Sequence, residues 1–102
     1  MIKLFEAEYT KEALEQLHDL EKSDKRKIIK AIAIFEQIGT EYKNTNDLGD
    51  DLFELKPDNI RAYFKYHENR IIIVGFITIK KTQKAPKRYI EQAIRNIENY
   101  LK

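Results

Sequence analysis

IRAYFKYHENRIIIVGFITIK, residues 60–80, changes pattern halfway along, and that change decides the architecture. Ile60, Ala62, Phe64 and Tyr66 fall on one face of an alternating run, and Arg61, Tyr63, Lys65 and His67 on the other. A period of two with one apolar face describes a strand buried on one side. RIIIVGFITIK then returns apolar on both faces, as a strand in the middle of a sheet does. Asn69 lies in the short polar turn between them, so the two strands read as an antiparallel pair.

Upstream, DLFELK carries the same period, with Phe53 and Leu55 opposite Glu54 and Lys56. The preceding EYKNTNDLGDD (41–51) is rich in Asn, Asp and Gly and reads as an irregular connection. Before it the period lengthens to that of helices. Ser23 is placed as an N-cap, Ile28, Ile32 and Phe35 form a stripe, and Gly39 is placed to stop the helix. Thr10 caps an earlier helix in which Ala13, Leu14, Leu17 and Leu20 recur at helical spacing. The short polar link between the two implies an antiparallel helical hairpin. Residues 2–8, IKLFEAE, fit a first strand.

Downstream, KKTQKAPKR (80–88) holds five cations and no carboxylate. Pro86 suits the first turn of a last helix, whose Ile90, Ala93, Ile94, Ile97, Tyr100 and Leu101 follow the i, i+3, i+4, i+7 pattern. The expected order is β-α-α-β-β-β-α. This is an α+β fold, an antiparallel-rich sheet packed by an N-terminal helical hairpin and a C-terminal helix. At 102 residues it reads as one domain spanning 1–102.

Composition narrows the function classes. Residues 1–52 hold 8 Lys/Arg against 12 Asp/Glu, whereas residues 53–102 hold 11 against 5, which points the basic half at an anionic partner. The absence of cysteine excludes disulfides and thiolate zinc sites. No secretory signal and no apolar run of spanning length occurs, so a soluble cytoplasmic protein without a membrane partner is expected. Nucleophile-elbow, Walker, zincin and glycine-rich dinucleotide motifs are missing, and no carboxylate spacing suggests a metal or cofactor site. His18, on a helix, reads as structural.

What remains is the strand face Arg61-Tyr63-Lys65-His67, with Lys56 before it and the 80–88 cluster after it. Lys and Arg engage phosphates, and tyrosine stacks on unpaired bases, so the set suits RNA. It also suits phosphodiester cleavage without a metal. A base takes the 2′-hydroxyl proton, a cation stabilises the phosphorane, and an acid protonates the 5′-oxygen. Arginine fills the electrostatic role because it keeps its charge.

LFELK, IRAYFKY, IIIVGF and KKTQKAP together resemble the HigB-type, phage-associated branch of the RelE/ParE toxin superfamily. The likeness covers about residues 50–100. It implies a RelE-like fold related to a small microbial ribonuclease, and the toxin of a type II toxin–antitoxin pair. Such a toxin is a ribosome-dependent endoribonuclease that cuts mRNA during translation and inhibits growth. Arg61 matches the family's strand arginine at the scissile phosphate. Lys80, Lys81 and Lys84 match its RNA-binding junction; Lys87 and Arg88 of the same cluster and Lys65 of the strand face are further RNA-binding candidates. Lys56 stands where arginine is usual, keeping the charge without the bidentate fork. Ala85 replaces the usual threonine before Pro86, removing a side-chain cap from the last helix. The general base is left among His67, Tyr63 and Tyr89. The resemblance further implies a cognate antitoxin, usually a helix-turn-helix HigA-type protein that would carry any DNA binding, together with the ribosome and mRNA as partners. The competing readings are a non-enzymatic, ParE-like gyrase inhibitor and a degenerate toxin that only binds antitoxin or RNA.

Overall fold

In the computed structural model, which describes residues 3–80 and 84–102, the chain runs through eight main elements. They are β1 (Glu6–Tyr9), α1 (Lys11–Asp19), α2 (Lys22–Ile38), β2 (Thr45–Gly49), β3 (Leu52–Leu55), β4 (Ile60–His67), β5 (Ile71–Ile79) and α3 (Lys87–Tyr100). The strands form one sheet in the order β1-β5-β4-β3-β2. Only the β1–β5 pair is parallel. The doubly apolar β5 is central, flanked by β1 and β4, as its pattern requires.

The expected α+β order is present, with one additional strand. The connection expected to be irregular contains β2, an edge strand antiparallel to β3. Its residues Thr45-Asn46-Asp47-Leu48-Gly49 show no apolar alternation, because an edge strand with little to bury needs none. Asp50 and Asp51 turn the chain between β2 and β3 with φ of 54° and 63°. Glu68 and Asn69 do the same between β4 and β5, at 55° and 61°. Paired positive φ values are the hairpin geometry that matches strand twist.

Helix ends follow the capping chemistry with small displacements. The Thr10 hydroxyl accepts from the Ala13 amide at 3.2 Å, as expected of an N-cap. The second helix begins at Lys22, one residue before Ser23, because the Glu21 carbonyl already accepts the first helical bond from Lys25. Gly39 ends that helix at φ 59°, and a Cβ there would lie 2.9 Å from the Phe5 ring. The first strand starts at Glu6, later than the pattern suggested, and Pro86 precedes the first turn of α3 as its N-cap.

Apolar side chains fill both faces of the sheet. On one face Ala13 of α1 and Ile28, Ile32 and Phe35 of α2 pack on Leu55, Ile60, Ala62, Phe64, Ile72, Val74 and Ile77. On the other, Ala93 and Ile97 of α3 pack on Leu52, Tyr63 and Ile73. Leu14, by contrast, is exposed. Along β5 the face occupied by the α1/α2 core switches from even residues, Ile72 and Val74, to odd ones, Ile77 and Ile79. A β-bulge at Gly75 makes the switch, since Tyr63 pairs with Phe76 while Phe64 pairs with Val74.

Gly75 also lets α3 approach. A Cβ there would sit 2.7 Å from the Ala93 carbonyl oxygen and 2.8 Å from Ile97 Cγ1. The bulge carbonyl accepts from Thr10 Oγ1 at 3.2 Å and from Asn96 Nδ2 at 2.8 Å, and Asn96 Nδ2 also donates to Glu12 at 2.6 Å. These bonds tie α1, β5 and the C-terminal half of α3 together at one point.

Candidate functional site

The sheet face under α3 presents one residue per strand in register. Asn46 of β2 faces Glu54 of β3, Glu54 faces Tyr63 of β4, and Tyr63 faces Phe76 of β5. The next row pairs Arg61 with Thr78. Residues 84–89 cross above this corner and close it into a cavity of about 260 Å³. The sheet contributes Asn46, Glu54, Lys56, Arg61, Tyr63, Thr78, Ile79 and Lys80, and the α3 entry contributes Lys84, Ala85, Pro86, Arg88 and Tyr89.

Of the residues singled out in the sequence, Lys56, Arg61, Tyr63, Lys80, Lys84, Arg88 and Tyr89 therefore share one cavity. Three do not line it. Lys65 and His67 lie further along β4, opposite Ile73 and Ile71. Six residues of strand separate His67 from Arg61, roughly 20 Å at the usual rise. His67 instead meets Glu68 at 3.3 Å beside the hairpin turn. Lys87, in the first turn of α3, is exposed outside the cavity. Lys81 lies outside the described residues. Ala85 packs in the α3 core, and at the Pro86 N-cap no described side chain caps that helix.

Arg61 is held by its own turn. Its Nη1 donates to the carbonyl oxygens of Asp58 at 2.9 Å and Ile60 at 2.8 Å. Its Nε stands 4.0 Å from Glu54 Oε2 in a pair whose side chains are only 11% and 8% exposed. No described residue accepts from Nη2, so a donor remains for an anion. A fixed guanidinium loses little entropy when it clamps a phosphate.

Tyr63 is buried, and its phenol pKa is pushed up to about 12, first by burial and then by the Glu54 carboxylate. It stays protonated at neutral pH and so carries a hydrogen-bond donor at the cavity. Its ring is followed by Phe76 at 6.3 Å, Phe76 stacks on Tyr89 at 5.0 Å, and the Arg88 guanidinium lies 5.0 Å from the Tyr89 ring centre. An aromatic run thus leads from the cavity floor to its basic rim.

Asn46 and Glu54 line the cavity without standing out in the sequence as functional candidates. Asn46 was hidden because β2 carries no strand signal. Glu54 was visible on the polar face of LFELK, yet nothing in the sequence showed that it would be 6% exposed among five cations. No group of His, Cys, Asp or Glu among the described residues is arranged to hold a metal ion. No described helix is long and apolar enough to cross a membrane.

The model of the family described as phage derived protein Gp49-like matches residues 15–98. No curated protein sequence matches the chain. Among solved structures the chain is similar to one in the archaeal RelE–RelB complex from Pyrococcus horikoshii OT3. The two share 17% sequence identity at a TM-score of 0.62, over 80% of this chain and 99% of that one. The fold is accordingly RelE-like.

Proposed function

This chain belongs to the family of phage-derived Gp49-like proteins, and on that premise we propose that it is a single-domain, HigB-type toxin of a type II toxin–antitoxin pair, an endoribonuclease that cuts mRNA on the ribosome. The observation that carries the reading is the cavity where Arg61, Lys56, Lys80, Lys84 and Arg88 converge beside Tyr63. Five cations around a space of this size suit the charge of an RNA backbone bend.

In this mechanism the RNA 2′-oxygen attacks the adjacent phosphorus. The O2′–P bond forms, the P–O5′ bond breaks, and a 2′,3′-cyclic phosphate is left. Arg61 stabilises the charge that builds on the non-bridging oxygens. Tyr63, protonated at working pH, donates to the departing 5′-oxygen. The exposed Lys84 and Arg88 at the rim, with Lys80, steer and hold flanking phosphates. A RelE chain pairs with RelB in the archaeal complex, and a corresponding antitoxin is the expected partner here, with the ribosome and its mRNA as targets.

The test is induced expression with transcript 5′-end mapping. New ends inside translated codons, abolished by Arg61→Ala while that variant keeps its melting temperature, are expected. Growth arrest with intact mRNA, or with trapped gyrase–DNA complexes, refutes the nuclease reading.

A further inference from the structure

Among the described residues Glu54 is the one carboxylate lining the cationic cavity, and its setting is unusual. It is 6% exposed on β3, between β4 and the edge strand β2, and a charge so buried is costly without partners. Its Oε1 accepts from Asn46 Nδ2 at 3.0 Å, which fixes the carboxylate plane. Its Oε2 faces Arg61 Nε at 4.0 Å, beyond hydrogen-bond length, and no described residue donates a hydrogen bond to it. A held carboxylate with one open oxygen, next to the guanidinium assigned to the phosphate, is arranged as a proton acceptor.

We infer that Glu54 is the general base that takes the 2′-hydroxyl proton. This assignment rests on the nuclease reading above. The role requires that, with a phosphate oxygen on Arg61, the 2′-oxygen of the same nucleotide sit about 2.6–3.2 Å from Oε2; Oε2, 4.0 Å from Arg61 Nε, is on the side where that phosphate binds. As the O2′–P bond forms, the proton passes to Glu54, and as the P–O5′ bond breaks, the leaving oxygen takes a proton from Tyr63 or from water. The cyclic phosphate and the free 5′-hydroxyl balance the step without any further reagent. Asn46 acts through Glu54 as a positioning residue.

The sign of binding separates this role from simple support of Arg61. Removing a negative charge from a phosphate site strengthens RNA binding, whereas loosening Arg61 weakens it. The experiment uses the purified chain with mRNA-programmed ribosomes, measuring single-turnover cleavage and RNA affinity separately. Glu54→Gln is expected to cut at least about 100-fold more slowly, the lower end of what general-base catalysis supplies, while binding RNA as tightly or more tightly. Glu54→Ala, tested beside it in case the Gln variant fails to fold, is expected to speed up on adding formate but not chloride at equal ionic strength. A Gln variant that cuts at the wild-type rate overturns the assignment. So does a rate loss that tracks RNA affinity, or an Ala variant that formate leaves unchanged. If the wild-type chain cuts no mRNA at all, the nuclease reading fails first and this one with it, which keeps the two failures apart.

Discussion

Replacing Gly75 by alanine tests the central claim about how the cavity is built. The new methyl would meet the Ala93 carbonyl oxygen at 2.7 Å and Ile97 Cγ1 and Cδ1 at 2.8 and 3.0 Å. Ordinary contacts of this kind lie near 3.5–4.0 Å, so the helix must retreat by several tenths of an ångström or more. One of the obstructing atoms is backbone, so a change of rotamer alone relieves only part of the clash. Overpacking of this kind costs about 1–3 kcal/mol. For a domain of this length each kcal/mol lowers Tm by about 4–8 °C. The retreat also weakens the Asn96 bond to the bulge carbonyl and lifts residues 84–89 away from Arg61. Urea unfolding gives the stability change, and amide hydrogen exchange across residues 87–100 locates it. Gly49→Ala is the control. It has φ 87° and nothing within 4 Å of its Cβ, so its cost of about 1–2 kcal/mol is backbone strain alone and α3 exchange stays unchanged. A Gly75→Ala protein within about 0.5 kcal/mol of wild type, with α3 protection intact, refutes the claim that the bulge glycine seats this helix.

Alkaline unfolding should be partly a Tyr63 effect. Its folded pKa, about 12, lies above the ordinary 10.0, so the unfolded state loses the proton first. The contribution is full below pH 10 and is lost as pH rises toward 12. Over that window wild type should lose on the order of 1–3 kcal/mol through this group, and Tyr63→Phe should flatten the decline in urea midpoints. Burial of Tyr9 and Tyr66 pushes those phenols in the same direction, so the flattening will be incomplete. Asn96→Ala removes donors to both Gly75 and Glu12 and should cost about 1–2 kcal/mol, with increased exchange in α3; an unchanged Tm would show that the clasp is idle.

The main strands and all three helices were legible because their periods are set by what they bury. The alternation of residues 60–67 and the two-sided apolarity of residues 71–79 leave few other placements. The Thr10 cap and the Gly39 stop were legible for a similar reason, since each is a local backbone demand met by one residue type. β2 was not, because an edge strand is paid for by backbone hydrogen bonds that any sequence makes. The bulge at Gly75 was equally hidden, as a glycine inside an apolar run does not announce which neighbour comes close.

The candidate site divides along the same line. Sequence by itself determined that a basic face would exist, for strand alternation puts Arg61 and Tyr63 on one side and the 80–88 junction follows the adjacent strand. Only the tertiary structure decided which members of that face act together. Distance along β4 carries His67 away from the cavity, while register across β2, β3 and β4 brings Asn46 and Glu54 into it. Alternation records the side of a sheet on which a residue lies. Neighbourhood depends on strand order, register and the helix laid across them, which are set by contacts between residues far apart in the chain.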